Sequence, residues 1–380
     1  MASAAASREH GLDALRVFAF ALLILYHAGM GYVPWGWHVK NPETSTALAY
    51  VMVFFSQWRL PLLFFISGAA VAFALRRRTL AQLAGDRVVR LLVPLVFGVL
   101  VVVPPQIYFE RLTQGVRYES YLAFYRTVFD FVPYPEGGAL SWHHLWYVAY
   151  VLVFSLASLP LFALVRRAAG ERALQALAGA LERWPLALYL IPLPAIAAGI
   201  VLDPRWPTTH DLVSDWANLT RSWLMFLWGF VFASERRLLD IVTRRWRELL
   251  AVGVAVAVAS YVVRARGGAH PAVRTTLSAY FALTWVFALV GLARARIAAS
   301  TPLLRYATEA VYSFYIVHQT ITVALVYVLA PVPLGIAPKL ALTAAGTFLG
   351  SWLVYEAIRR VPPLRPLFGL KLAREPAAGA

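Results

Sequence analysis

Stretches of roughly 20 predominantly apolar residues recur along the chain, separated by short segments in which charge, proline, glycine or asparagine concentrate. Ten such runs are visible, over approximately 12–33, 47–75, 91–109, 143–165, 184–202, 218–234, 249–263, 275–293, 310–330 and 339–358. An α-helix rises 1.5 Å per residue, so about 20 residues cross the hydrocarbon core of a bilayer. The pattern predicts an all-α polytopic integral membrane bundle of about ten transmembrane helices. The second run is too long for one straight span and holds Gln57, Arg59 and Pro61, which predicts a tilt, kink or break near Pro61. No internal repeat is visible. The chain is expected to form one membrane-embedded domain over residues 1–375, with no soluble domain appended.

Composition agrees with the pattern and changes the meaning of the charge. Of 380 residues, 60% are hydrophobic and only 14% charged, while the formal net charge is +16. In a soluble protein that excess would suggest nucleic acid; in a membrane protein it reports topology, and no nucleic-acid partner is expected. Of the 35 Lys and Arg residues, 23 fall on one set of alternate connecting segments, nine on the other, and Arg16, Arg59 and Arg221 lie in or at the edges of runs. Basic residues favour the cytoplasmic side, so both termini of this multi-pass protein are expected there. The first run could pass for a signal peptide, but "YHAGMGYVPWGW" after it offers no small-x-small cleavage pattern. The absence of cysteine excludes disulfides, thiolate nucleophiles and Cys-based metal sites, and no metal is expected.

Ionisable groups inside apolar runs carry the candidate chemistry, because each costs roughly 2.5–3.5 kcal/mol on insertion scales. In "LDALRVFAFALLILYHAG", Arg16 and His27 stand eleven residues apart, which is three helical turns plus about 20°, so they share a face with His27 about 16 Å deeper. Asp13 is placed to pair with Arg16 or to cap the helix. Read blandly, Arg16 is an interfacial anchor and His27 a packing residue. Arg59 in "SQWRLPLLFFISG" is too deep to reach either surface; its bland explanation is an ion pair with Glu356 on another span. Ser67-Gly68 permits close helix approach. His318 in "VYSFYIVHQTI" lies near mid-depth like His27 and could be a proton relay, a metal ligand or a packing residue. His143 and His144 open the fourth run, flanked by Trp142 and Trp146, and tryptophans cluster near the outer side, as an interfacial belt or a surface for a carbohydrate. Arg87 and Arg90, at i and i+3, are suited to hold a phosphate-bearing ligand bidentately at the cytoplasmic entrance. The outer loop over 110–141 is aromatic and rich in proline and glycine, fit to cover a site.

Taken in order, Arg16 and His27 with ten residues between them, "FFISG" at 64–68, Arg87-x-x-Arg90 before "LLVP", "HLWYV" at 144–148 and "YSFYIVH" at 312–318 resemble the acyltransferase family 3 membrane proteins. "REHGLDALR", "WHVKN" at 37–41, "WRLPLLFFISG" and "YEAIRRVPPLRPLFG" are similar to the branch of glucan biosynthesis protein C type, which succinylates osmoregulated periplasmic glucans. The likeness covers about 8–369. It implies transfer of an acyl group, succinyl in preference to acetyl, from cytoplasmic acyl-CoA to a hydroxyl of an extracytoplasmic glucan. Residue by residue, Arg16 and His27 match the family's essential Arg/His pair, Arg87 and Arg90 its cytoplasmic Arg pair on the CoA side, and His144 and His318 further motifs. The resulting expectation is a catalytic set of His27, Arg16, Arg59 and His318, donor binding by Arg16, Arg87 and Arg90, and acceptor binding by Trp37, His38, His144 and Trp146. A thioester donor needs a base for the sugar hydroxyl, charge stabilisation and exclusion of water, and a neutral buried imidazole suits the first task. A covalent acyl-His27 intermediate is an open alternative. So are an acetyltransferase for another envelope polysaccharide or small molecule, and a transporter or flippase built on Arg59, His27 and His318.

Overall fold

The computed structural model describes residues 9–371, which leaves Arg8 and Arg374 of the charge distribution outside the described residues. The described chain is helical throughout, with one isolated β-bridge between Pro133 and Leu140 and no strands among the described residues. Apart from the short helix Tyr121–Arg126 and a few 3-10 turns, the helices in chain order are α1 (His10–Met30), α2 (Thr46–Ser56), α3 (Arg59–Leu75), α4 (Leu80–Thr113), α5 (His143–Ala157), α6 (Leu159–Val165), α7 (Ala168–Arg183), α8 (Pro185–Leu202), α9 (Trp216–Ser234), α10 (Arg236–Ala265), α11 (Pro271–Arg296), α12 (Pro302–Leu329) and α13 (Ile336–Ile358). A helix occupies each of the ten apolar runs. Among the described residues, seven segments are long and apolar enough to cross a membrane, or eight if α5 and α6, bent by 50° at their junction, make one span. The remaining two runs, α9 and α13, are helical but less apolar.

The break in the second run falls at Gln57–Trp58, before Pro61 rather than at it. Proline has no N–H to give to the carbonyl four residues back, here that of Gln57; starting a new helix at Arg59 places Pro61 in a first turn, where no such bond is needed. In α4 the same constraint yields two π-helical turns, Val88–Leu92 and Gly98–Val102, around Pro94 and ahead of Pro104 and Pro105. The Leu100 carbonyl, four residues before Pro104, accepts from the Tyr125 hydroxyl at 2.9 Å, and that of Val102 accepts from the Thr320 hydroxyl.

The chain forms two compact units. The first comprises residues 9–19, 54–85 and 153–305. Here α3 and α9 touch backbone to backbone: a Cβ on Gly68 would lie 1.8 Å from the Phe226 carbonyl oxygen, and one on Gly229 would lie 1.9 Å from that of Phe65. The small-residue reading of Ser67-Gly68 therefore holds, with a reciprocal glycine that the sequence did not pair with it. Phe65, Phe232 and Phe287 fill the space beside this contact. Arg294, nearly buried, ties α11 to Glu9 at 3.0 Å and to Asp240 at 3.2 Å.

The second unit comprises residues 20–53, 86–152 and 306–371. Its core joins Tyr32 and Val39 of the loop after α1 to Val323 and Val326 of α12. Two lysines replace missing backbone partners in that loop region. Lys40 donates to the carbonyls of Met30 and Val33, and Lys339 donates to Asn41 Oδ1 and the Ala330 carbonyl, both at 2.8 Å. Burial holds the Lys40 ammonium below its ordinary pKa. Glu356 gives its carboxylate to Arg359 and Arg360 just past the end of its own helix and to the Tyr306 hydroxyl of α12.

Candidate active site

The α1 helix is unbroken from His10 to Met30, so the helical geometry read from the spacing of Arg16 and His27 applies. Arg16 lies in the first unit, where its guanidinium meets Asp13 at 3.1 Å, one of the two roles expected for that aspartate. Arg59 belongs to the same unit, at the first position of α3 and only 3% exposed. The other candidate residues all belong to the second unit.

There the structure brings His27 and His318 together: His27 Nδ1 and His318 Nε2 are 2.7 Å apart, with ring planes 8° from parallel. His318 Nδ1 is 2.6 Å from the Tyr315 carbonyl oxygen. A carbonyl only accepts, so His318 Nδ1 carries a proton. In the neutral ring Nε2 is then an acceptor, His27 Nδ1 must donate to it, and the proton-free atom of His27 is Nε2. The tautomers of both rings thus follow from one backbone carbonyl. His318 is fully buried, so its ring is held by packing as well as by these bonds.

A polar network continues away from the pair. His144 Nε2 donates to the Ile316 carbonyl at 3.0 Å, while the Tyr315 hydroxyl donates to the His144 carbonyl, so His144 fixes the α12 turn that orients His318. The Gln106 amide donates to Thr320 Oγ1 at 2.8 Å and reaches His144 Nδ1 at 3.5 Å. Gln319 donates to Gln106 Oε1 at 2.9 Å and to His38 Nε2 at 3.2 Å. His38 Nδ1 then donates to Glu110 Oε2 at 2.8 Å, and Glu110 Oε1 accepts from the Tyr134 hydroxyl at 2.8 Å. Burial and the adjoining Glu110 push the Tyr134 hydroxyl well above its ordinary pKa, so it remains a proton donor to that carboxylate. Among the described residues, His38, Glu110 and His143 form the one group of three that each offer a ligating atom within 4.8 Å of the others.

Of the proposed acceptor residues, Trp37 is half-buried and tilted against His38, whereas Trp146 is 8% exposed with its ring edge-on to Tyr150. Arg87 closes the α-helical start of α4 and Arg90 lies in its first π-helical turn. The expected α-helical i, i+3 face is therefore altered by the widened turn, a form of irregularity common at functional sites. Tyr312, whose buried hydroxyl has no hydrogen-bond partner, lies within electrostatic range of both arginines.

Gln106, Glu110, Gln319 and Tyr134 were not singled out from the sequence. Gln106 and Gln319 carried a signal, as uncharged polar residues inside apolar runs. Glu110 and Tyr134 carried none, because nothing in their spacing brings them to His38.

Comparison with known proteins places this geometry in context. An acyltransferase domain matches residues 9–356, nearly the whole chain. The glucans biosynthesis protein C of Escherichia coli K12 is 26% identical over 164 residues, covering 42% of this chain and 40% of that protein. The protein of the same name from Escherichia coli O1:K1 matches to the same extent. The chain thus spans about two fifths of the length of the curated relatives it matches. No solved structure matches. By the extent of the domain match, the chain belongs to the family 3 acyltransferases.

Proposed function

We propose that this protein transfers an acyl group, succinyl in preference to acetyl, from cytoplasmic acyl-CoA to a hydroxyl of an extracytoplasmic glucan, within the bacterial inner membrane. The observation that carries the reading is the His27–His318 pair, in which a fixed backbone acceptor leaves the proton-free nitrogen on His27. In this reading His27 Nε2 takes the proton of the acceptor hydroxyl as its oxygen attacks the thioester carbonyl. The tetrahedral intermediate collapses with cleavage of the C–S bond, and the thiolate leaves with the proton held by His27, giving an ester and free CoA. His318 supports the step because its Nε2 accepts from the imidazolium and shares the positive charge. Arg87 and Arg90 bind the donor phosphates, Arg16 the donor entrance, and the Tyr312 hydroxyl is available to the pantetheine or acyl part. Trp37, His38, His144 and Trp146 are assigned to the acceptor side. The glucan assignment rests on the likeness to glucans biosynthesis protein C.

Mass spectrometry of envelope glycans from cells with wild-type protein, with His27→Ala and without the protein tests the reading. An acyl mass increment present only with wild type is expected, and its size identifies the group. Equal acylation in the His27→Ala cells would overturn the mechanism. Loss of glycan export with acylation unchanged would point to a transporter.

A further inference from the structure

Two imidazoles that the acyl-transfer reading does not use as base stand beside a buried carboxylate. His38 lies in the loop after α1, Glu110 near the end of α4, and His143 in the turn that opens α5. Each presents one ligating atom, and these atoms lie within 4.8 Å of one another. We propose that His38, Glu110 and His143 form a binding site for a divalent transition-metal ion of the zinc class. The proposal does not rest on the acyl-transfer reading.

The first argument is an unmade bond. His143 Nε2 is buried and has no hydrogen-bond partner, an arrangement that folded proteins ordinarily avoid. Its other nitrogen, Nδ1, is held by Ser141 Oγ at 2.7 Å. One nitrogen fixed by a neighbour and the other left for an ion is the arrangement that orients metal-ligating histidines. The backbone of His143 has φ of 41°, in the left-handed region that non-glycine residues adopt only at a cost. That cost goes into presenting this ring to the cluster.

The second argument is that the other two ligands are oriented in the same way. Glu110 is 8% exposed and has Oε1 occupied by Tyr134, which directs Oε2 to the cluster. His38 has Nε2 against the Gln319 amide, which directs Nδ1 to the same point. Loading an ion onto Nδ1 moves its proton to Nε2, and the Gln319 amide meets that change by a half-turn that exchanges its oxygen and nitrogen, with the Gln106 amide turning likewise to keep the bond between the two.

The third argument is the donor set. Two imidazoles and one carboxylate suit zinc, whereas calcium needs six or more oxygens. Bonds of about 2.0–2.2 Å in a tetrahedron set the donor atoms about 3.4 Å apart. The 2.8 Å contact between His38 and Glu110 must therefore open slightly, and the widest separation must close by at most about 1.4 Å. His38 and His143 stack with centroids 4.5 Å apart, so one ring turns about its χ2 to bring both lone pairs onto the ion, a soft rotation. Three protein ligands leave a fourth position for water or a hydroxyl.

The test uses the purified full chain in detergent, stripped with chelator and titrated with ZnCl2 by calorimetry, with CoCl2 titrated in parallel and followed by visible absorption. One zinc ion per chain is expected, with tetrahedral cobalt bands and a rise in melting temperature. Glu110→Gln and His143→Asn should each weaken binding by about ten-fold or more. His270→Ala, which removes an exposed histidine outside the cluster, should leave binding unchanged. No zinc uptake by wild type, or uptake that is equal in wild type and both ligand variants, overturns the proposal. If either variant fails to fold without zinc, the stoichiometry and cobalt spectrum of the wild type decide alone: one tetrahedral ion supports the site, and any other result overturns it.

Discussion

Replacing His318 by alanine removes the acceptor that fixes His27 Nδ1 at 2.7 Å and, with it, the reason His27 presents a proton-free Nε2. The bond strengthens when His27 becomes cationic, and hydrogen bonds to charged groups contribute about 1.5–3 kcal/mol. At 1.36 kcal/mol per factor of ten, His318→Ala is expected to lower kcat/KM by about 10- to 150-fold. His27→Ala removes the base itself and should cost about 10²–10⁴-fold. The double variant should be no slower than His27→Ala alone within about three-fold, because His318 acts through His27. His318→Gln, whose amide oxygen can accept the same proton, should recover part of the loss. The assay is acyl-CoA turnover by protein in vesicles with glucan acceptor, followed by a thiol reagent; the chain has no cysteine, so released CoA is the one thiol read. Because His318 is fully buried, melting temperature is measured alongside to separate lost catalysis from lost fold. A His318→Ala rate above half of wild type, or multiplicative losses in the double variant, would refute the reasoning.

Other consequences are equally direct. Gly68→Ala or Gly229→Ala forces a methyl against a backbone carbonyl and should destabilise by about 1–3 kcal/mol, whereas Gly36→Ala, with open space around its Cβ, should stay within about 0.5 kcal/mol in the same thermal melts. Arg294→Ala leaves Glu9 and Asp240 without their shared partner and should cost about 1–3 kcal/mol, reduced from the fully buried case because both carboxylates are partly exposed. Arg87→Ala with Arg90→Ala should raise KM for acyl-CoA by about ten-fold or more with a smaller change in kcat; an unchanged KM would remove these residues from the donor site. Asp211, in the loop before α9, is held at about 2 although partial burial opposes it, because the hydroxyl and amide of Ser214, the Thr209 hydroxyl and the Val213 amide all donate to it. A carboxyl depressed on folding stabilises above its unfolded pKa near 4 and loses that contribution as pH falls through about 2. Asp211→Ala should therefore flatten the melting-temperature profile between those limits.

How much was legible beforehand differs by level. The helices could be read because apolar length alone decides them: a backbone in hydrocarbon must satisfy its own hydrogen bonds, so each apolar run becomes helix. The spacing of Arg16 and His27 also survived intact, since 3.6 residues per turn is a local property. The break near Pro61 was foreseeable in kind but not in place, because the chain had to restart its hydrogen bonding ahead of the proline. The π-helical turn that begins between Arg87 and Arg90 was not foreseen for a related reason.

Convergence of side chains was beyond the sequence. His27 meets His318 across 291 residues, and His38 meets Glu110 across 72. Periodicity records which side of each helix is apolar, but it does not say which helix stands opposite, how a proline-altered span turns Gln106 and Glu110, or that a left-handed residue aims His143. The sequence by itself determined a helical membrane protein with an arginine and a histidine on one face of its first helix. Only the tertiary structure decided which partner sets the proton on that histidine, because a hydrogen bond depends on positions in space to within a few tenths of an ångström, and those are fixed by packing.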